Sequence, residues 1–455
     1  MTNNRVHFIA IGGSAMHNLA IALHLKGYYV TGSDDEIFDP AASRLNTYGL
    51  LPEQFGWFPE KLDKSIDSII LGMHARGDNP ELARAKELGL KIYSYPEFLY
   101  EQSKDKLRVV IGGSHGKTTI TAMILHVLYY CNLDTDYMVG AKLEGFDVMV
   151  RLTEKAKVMV FEGDEYLTSA LDLRPKFHLY KPDIALVSGI AWDHMNVFPT
   201  FDNYIEQFRI FMKMIPDSGA LIYCNEDPEV KKAVESIDGK MNKLPYGVPK
   251  HNVSNGKTIL SAPEGNFSLM IFGQHNLMNL EGARLVCNHL NISNTDFYQA
   301  IASFKGASNR LELIAEKSGF SAYRDFAHAP SKLKATIQAV KEQYPDRWLV
   351  ACFELHTFSS LSKDFLDQYA DSMEKADVAI VFFSPHALAL KKLPMLSPDD
   401  IRQSFRKEGL LVFSDSDQFQ KYLLGEKWEN SNLLLMSSGN FDGLQVKEFA
   451  REIGK

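Results

Sequence analysis

Cysteine is scarce, and the four present, Cys131, Cys224, Cys287 and Cys352, form no CxxC pair. There is thus no zinc-ligand spacing, and such usage fits small core hydrophobes in a reducing compartment. Long apolar runs are lacking too, since no stretch of about 18 apolar residues occurs. Met1-Thr2-Asn3-Asn4-Arg5 leads straight into the strand-like Val6–Ile11 without an apolar signal region. The expectation is a soluble cytoplasmic protein with no membrane partner. Positive excess is likewise absent: the net charge is −8 with both signs mixed throughout, so no basic stripe argues for nucleic acid. A small-molecule partner is expected instead. Low-complexity tracts and solenoid-period repeats are missing as well.

What is present is length and a recurring α/β grammar. At 455 residues the chain exceeds one core, and roughly 150 residues per domain suggests about three. Residues 1–105 alternate apolar runs (Val6–Ile11, Tyr28–Thr31, Ser68–Leu71, Lys91–Tyr93) with helical patterns (Ala15–Leu25, Glu81–Leu88), the mark of a parallel α/β unit. Residues 106–305 restart with Leu107–Ile111 and continue through Val158–Phe161, Ile184–Ser188 and Ala220–Tyr223 to a helix after Gly273-Gln274-His275-Asn276. Residues 306–455 begin again with Ser321–Asp325, then Trp348–Phe353, Val378–Phe383, Leu411–Phe413 and Leu433–Met436.

Gly113-Ser114-His115-Gly116-Lys117-Thr118-Thr119 lies between the run Leu107–Ile111 and the opening helix Ile120–Leu125. A strand, a glycine turn and a helix N-terminus together aim backbone N–H groups and the positive end of a dipole at an anion. Lys117 suits the β/γ-phosphates and Thr118 suits Mg²⁺, so ATP and Mg²⁺ are the expected cofactors. The first glycine of the full G-x-x-x-x-G-K-[ST] pattern is replaced by Ile111, with Gly112 next to it. In the second segment Glu162-Gly163-Asp164-Glu165 ends a buried strand with three carboxylates, and Trp192-Asp193-His194 follows another strand. Acidic groups at that sheet edge suit a hard cation shared with phosphates, although a solvated acidic turn reads the same way.

Near the start, Gly12-Gly13-Ser14-Ala15-Met16 follows a strand and precedes a helix, and Gly32-Ser33-Asp34 closes the next strand. The pair suits a diphosphate nucleotide; an ordinary strand-to-helix turn would look alike.

Taken in order, these motifs, with Gly273-Gln274-His275-Asn276-Leu277-Met278-Asn279, Asn309-Arg310 and Asp325-Phe326-Ala327-His328-Ala329-Pro330, resemble the Mur ligases over nearly the whole chain. The resemblance implies a Rossmann-like UDP-sugar domain (1–105), a central P-loop ATPase domain with a mostly parallel sheet (106–305) and a Rossmann-like C-terminal domain presenting the amine (306–455). It implies ATP contacts from Gly113, Ser114, His115, Gly116, Lys117, Thr118 and Thr119, and from His275, Asn276, Asn279, Arg310 and Asp325. Asn276 could equally cap a helix. It implies metal ligation by Thr118, Glu162 and His194, and a catalytic set of Lys117, Glu162, His194 and Arg310. Gly12, Gly13, Ser14, Ala15, Met16, Ser33 and Asp34 would hold the UDP-sugar. His328, His356 and Ser359 would meet the amine, His328 being equally readable as a structural histidine. Asp193 and His194 are the candidates for a base, with ligation ranked first for His194.

Three features discriminate within the family. The region after Asp193-His194 offers Phe208 where later-pathway members carry a lysine that becomes carbamylated, which favours action on UDP-N-acetylmuramate itself. Phe353-Glu354-Leu355-His356-Thr357-Phe358-Ser359-Ser360-Leu361-Ser362 lacks the arginines that alanine-adding members use for the amino-acid carboxylate. Leu171–Pro182 resembles an insert of the members that join a ready-made murein tripeptide, as Asp164-Glu165-Tyr166 resembles their acidic motif. Tripeptide ligation in peptidoglycan recycling is therefore expected, with L-alanine ligation or a non-catalytic precursor-binding paralogue as alternatives. Gly189, Arg324 and Ala329 depart from the family's usual Asn, Asp and His. The oligomeric state is not readable from these motifs.

Overall fold

The computed structural model describes residues 4–73, 75–141, 146, 148–169, 171–192 and 197–454. It contains two compact units, residues 1–247 with 278–300 and residues 248–277 with 301–455.

The first unit carries two sheets. Strands β1 (Arg5–Ile9), β2 (Tyr29–Ser33), β3 (Ser68–Leu71) and β4 (Lys91–Ser94) form a parallel sheet in the order β2-β1-β3-β4. The order turns back at β1, so the crevice of this sheet opens at the Ala10–Gly13 turn. β1 stops at Ile9, short of the expected Ile11, because Ala10 takes φ +67° and turns the chain toward the helix Ser14–Leu25.

The larger sheet comprises β5 (Leu107–Gly112), β6 (Thr135–Met138), β7 (Val150–Arg151), β8 (Val158–Glu162), β9 (Ile184–Val187), β10 (Ala220–Cys224) and β11 (Asn242–Tyr246), ordered β11-β10-β9-β5-β8-β6-β7. Only β7 runs antiparallel to its neighbour. β8 and β9 are buried at every position, as strands covered by helices on both faces must be, which is why they read as unbroken apolar runs. β5 lies between β8 and β9, so the loops leaving all three meet at one edge. One apolar cluster serves both sheets, with Leu19, Leu23 and Phe98 in the same packed set as Met138, Val150 and Phe161. Lys26 reaches Glu154 at 3.0 Å across the seam between the sheets.

The second unit holds an antiparallel sheet, β12 (His251–Ser254), β13 (Lys257–Ala262) and β14 (Gly265–Leu269), which the sequence reading did not anticipate. Its main sheet runs β15-β16-β20-β17-β18-β19, from β15 (Glu312–Lys317), β16 (Phe320–Asp325), β17 (Trp348–Leu355), β18 (Val378–Phe383), β19 (Leu411–Phe413) and β20 (Ser431–Met436). All but β15 are parallel. Buried Gln343 ties the small sheet to the large one's covering helix, accepting from Thr258 Oγ1 at 2.9 Å and donating to the Gly256 carbonyl at 2.6 Å. The fold class is thus α/β with mostly parallel sheets. Among the described residues no helix is long and apolar enough to cross a membrane.

Candidate active site

The phosphate loop follows β5 and feeds a helix that begins at Lys117, three residues earlier than the apolar pattern alone suggested. Gly116, the residue before it, takes φ +80°, and a Cβ there would come within 2.5 Å of Asn279 Oδ1. Glycine is therefore needed twice at this position, for backbone conformation and for space. Ser114 N–H donates to the Gly189 carbonyl at 2.9 Å, and Ser114 Oγ accepts from Ala191 N–H at 2.9 Å, which stitches the loop to the segment after β9. The His115 ring lies on Gly189, where a Cβ would approach Nε2 to 2.6 Å. That contact gives a physical reason for the departure at Gly189: the larger family residue would collide with the ring.

Lys117 Nζ donates to the Gly113 carbonyl at 2.5 Å and to Glu165 Oε2 at 2.6 Å. Burial disfavours its charge, but the carboxylates of Glu165, Asp164 and Glu162 outweigh that and hold the ammonium above its ordinary pKa. Glu165 Oε1 also accepts from the Tyr204 hydroxyl at 3.2 Å, and that hydroxyl lies 2.9 Å from Ser114 Oγ. Tyr204 is fully buried on the helix Phe201–Lys213, and no motif in the sequence announced it. Phe208, one turn along the same helix, packs edge-on to Phe177 in the core. An aromatic cluster thus occupies the place where a carbamylated lysine was considered.

The acidic run does not act as one cluster. Glu162 Oε1 accepts from Thr118 Oγ1 at 2.6 Å and Oε2 from Gly140 N–H at 2.8 Å. Glu165 goes to Lys117. Asp164 pairs with Lys176 at 2.6 Å; burial raises its pKa, yet Lys176 and Lys117 hold it below the usual carboxylate range. Among the described residues of the expected metal set, Thr118 and Glu162 come together, and their hard oxygen donors suit a Mg²⁺ shared with phosphates. His194, with Asp193, lies outside the described residues. Among the described residues no three of His, Cys, Asp and Glu converge as a metal site.

In the first sheet's crevice, Asp34 Oδ2 accepts from Gly12 N–H at 2.7 Å. Burial pushes the Asp34 pKa up to about 6 against that hydrogen bond, and neighbouring Asp35 pushes the same way. Gly13 precedes the helix, with exposed Ser14 and Ala15 on its first turn. Met16, on the same turn, is 4% exposed and packs in the core. Ser33 is buried at the end of β2.

Within the second unit, His275 and Asn276 open the helix Gln274–His289, whereas Asn279 belongs to the first unit. Asn276 is no cap, being inside the helix and donating from Nδ2 to the Phe272 carbonyl at 3.0 Å. The Arg310 guanidinium stands over the Phe326 ring at 4.6 Å. Asp325 accepts from Leu311 N–H at 2.6 Å, from Ala327 N–H at 2.7 Å and, at 3.4 Å, from Thr336 Oγ1. Burial raises its pKa although Arg310 and these donors oppose the shift. His328 directs Nδ1 at the Phe326 carbonyl, 2.9 Å away. After β17, His356 is partly exposed and Ser359 exposed.

A strand-loop-helix phosphate site with an ion-paired lysine at its floor, in a chain of mostly parallel α/β sheets, defines a P-loop nucleotide-dependent enzyme. Three family descriptions match this chain in order: "Mur ligase family, catalytic domain" over residues 5–106, "Mur ligase middle domain" over 111–287 and "Mur ligase, glutamate ligase domain" over 309–439. The chain belongs to the Mur ligase family of ATP-dependent ligases. It is 28% identical to a UDP-N-acetylmuramate–L-alanine ligase of Clostridium kluyveri, over 98% of this chain and 97% of that one. It is 29% identical to the same-named ligase of Limosilactobacillus reuteri, over 98% and 99%. Among solved structures, the murein peptide ligase of Psychrobacter arcticus matches with TM-score 0.63 at 22% identity, covering 99% of both chains. The UDP-N-acetylmuramate-alanine ligase of Thermotoga maritima matches with TM-score 0.70 at 18% identity, over 99% and 98%.

Proposed function

We propose that this ligase joins the carboxylate of UDP-N-acetylmuramate to the amine of a murein tripeptide in the cytoplasm, through an acyl phosphate made with ATP. A carboxylate is a poor acylating group, so phosphorylation comes first and the amine then displaces phosphate. In this reading residues 1–105 hold the UDP-sugar, with Gly12, Gly13, Ser14, Ala15, Ser33 and Asp34 at its turn. Residues 106–305 hold ATP: the Gly113–Thr119 loop wraps the phosphates, and Lys117 offsets charge on the transferring phosphoryl group. His275, Asn276 and Asn279 serve the adenine side, Arg310 the phosphates, and Asp325 the positioning of Arg310's segment. Thr118 and Glu162, with His194, would hold Mg²⁺, which when bound draws charge from the phosphate oxygens. Residues 306–455 present the amine, with His328, His356 and Ser359 at its pocket.

The observation that carries the choice of amine lies after β17. Residues 356–362 contain no arginine or lysine, and the next cation, Lys363, is paired with Asp400 at 2.6 Å. A free amino acid brings its carboxylate next to the reacting nitrogen and needs a cation there; a peptide N-terminus does not. L-alanine is the second reading, favoured by the names of the relatives that are 28–29% identical. The deciding experiment offers ATP, Mg²⁺ and UDP-N-acetylmuramate with L-alanine or L-Ala-γ-D-Glu-diaminopimelate in turn, and weighs the product. Amide with the tripeptide is expected; product with alanine alone would overturn the choice.

A further inference from the structure

Sequence reasoning found no convincing base for the amine. The second unit contains a histidine set up as one. His356 leaves the C-terminal end of β17, and its Nδ1 stands 3.5 Å from Glu354 Oε1. That is too long for a hydrogen bond, but in a protein interior it is well within reach of a carboxylate's field. Glu354 is 2% exposed, and its other oxygen is held in place: Oε2 accepts from Ser437 Oγ and, at 2.8 Å, from Phe441 N–H. The carboxylate is thus oriented by the loop after β20, the strand beside β17. That loop also supplies the floor of the ring, because a Cβ on Gly439 would come within 2.6 Å of His356 Nδ1 and 2.8 Å of Cε1. Only glycine leaves room for the imidazole there. The His356 side chain is 38% exposed, and with Nδ1 turned to the buried carboxylate, Nε2 is on the far side of the ring.

A carboxylate held on the Nδ1 side of the ring favours the tautomer that carries its proton on Nδ1, which leaves the lone pair on Nε2. We propose that His356 is the proton acceptor for the incoming amine and that Glu354 is its positioning residue. The assignment rests on the reading above, in which this domain presents the amine. The substrate arrives as an ammonium and gives one proton to Nε2. The freed nitrogen lone pair forms the C–N bond to the acyl-phosphate carbon, and the C–O bond to phosphate then breaks with its electron pair leaving on phosphate. The second nitrogen proton passes to solvent, so the products are amide, inorganic phosphate and protons. Glu354 and Gly439 both lie against the imidazole.

Hydroxylamine separates activation from amine deprotonation, because near neutral pH it is already an uncharged nucleophile. Wild type and His356→Ala are each given ATP, Mg²⁺ and UDP-N-acetylmuramate with hydroxylamine, or with tripeptide or L-alanine across a pH series. His356→Ala is expected to lose amide formation on the order of 100-fold more than hydroxamate formation. Its amide rate should climb with pH where wild type levels off. Glu354→Gln should give a smaller loss, carried by kcat rather than by KM for the amine, with no further loss when added to His356→Ala. An unchanged amide rate and pH profile in His356→Ala, or equal loss of hydroxamate and amide, would overturn the assignment alone. A wild type that makes no hydroxamate, or no amide with either amine, would overturn the functional reading and this assignment with it.

Discussion

Lys117 and Glu165 form an ion pair of 2.6 Å beneath the phosphate loop, with Lys117 16% and Glu165 2% exposed at the side chain. A lysine expected to meet phosphates is thus held by a carboxylate 48 residues further on. The pair fixes the ammonium at the loop's floor, since the Gly113 carbonyl takes a second of its three donors.

Glu165→Gln should leave an acceptor for Lys117 and Tyr204 while removing one negative charge from beside the phosphates. We expect a several-fold lower KM for ATP with stability within about 1 kcal/mol of wild type. Glu165→Ala deprives the buried ammonium of its partner and should cost about 3 kcal/mol in urea unfolding. Equal stability of the two variants would show that the ion pair does not hold Lys117.

Thr118→Val keeps the volume and removes the hydroxyl that donates to Glu162 at 2.6 Å. Initial rates measured against Mg²⁺ concentration should show a higher half-saturation and at least a tenfold lower kcat. Thr118→Ser should restore both. A valine variant with the wild-type Mg²⁺ curve would remove Thr118 from the metal set.

Gly189→Ala drives a methyl group into the His115 ring. The expected cost is about 1–3 kcal/mol, together with weaker ATP binding as the loop shifts. Because the clash is with one side chain, His115→Ala should recover much of the loss, and a double-mutant cycle measures the coupling. Additive losses would place the strain elsewhere.

Asp34 sets a pH dependence of stability. Its pKa is about 6 in the folded protein, against 3.8 as the ordinary value. Between these values the native state binds more protons than the unfolded chain, so stability falls as pH rises through that window and levels off above it. The span is on the order of 3 kcal/mol. Urea midpoints from pH 4 to 7 should show this slope, and Asp34→Asn, which keeps an acceptor for Gly12 N–H, should flatten it.

The parallel strands were legible because burial on both faces writes them as short unbroken apolar runs. β3 and β18 fall where the sequence placed them, at Ser68–Leu71 and Val378–Phe383. The antiparallel strands β12 to β14 were not: Val253, Ser254, Ser261, Asn266 and Ser268 are all exposed, so these strands carry no unbroken apolar run. Polarity misled in the other direction at the acidic run. Glu162, Asp164 and Glu165 look equivalent in sequence, yet each has a different partner, Thr118, Lys176 and Lys117.

The sequence by itself determined the phosphate loop, the order of α/β segments and the family, because local backbone demands and strand burial leave marks within a few residues. Tertiary structure decided which groups meet. Tyr204 under Ser114, Glu165 under Lys117 and Ser437 behind Glu354 are contacts of 83 to 90 residues' separation or of neighbours indistinguishable by type. Such contacts depend on where β5, β8 and β9, or β17 and β20, lie side by side in a sheet. Strand order is settled by packing of whole layers, and no local pattern of residues encodes it.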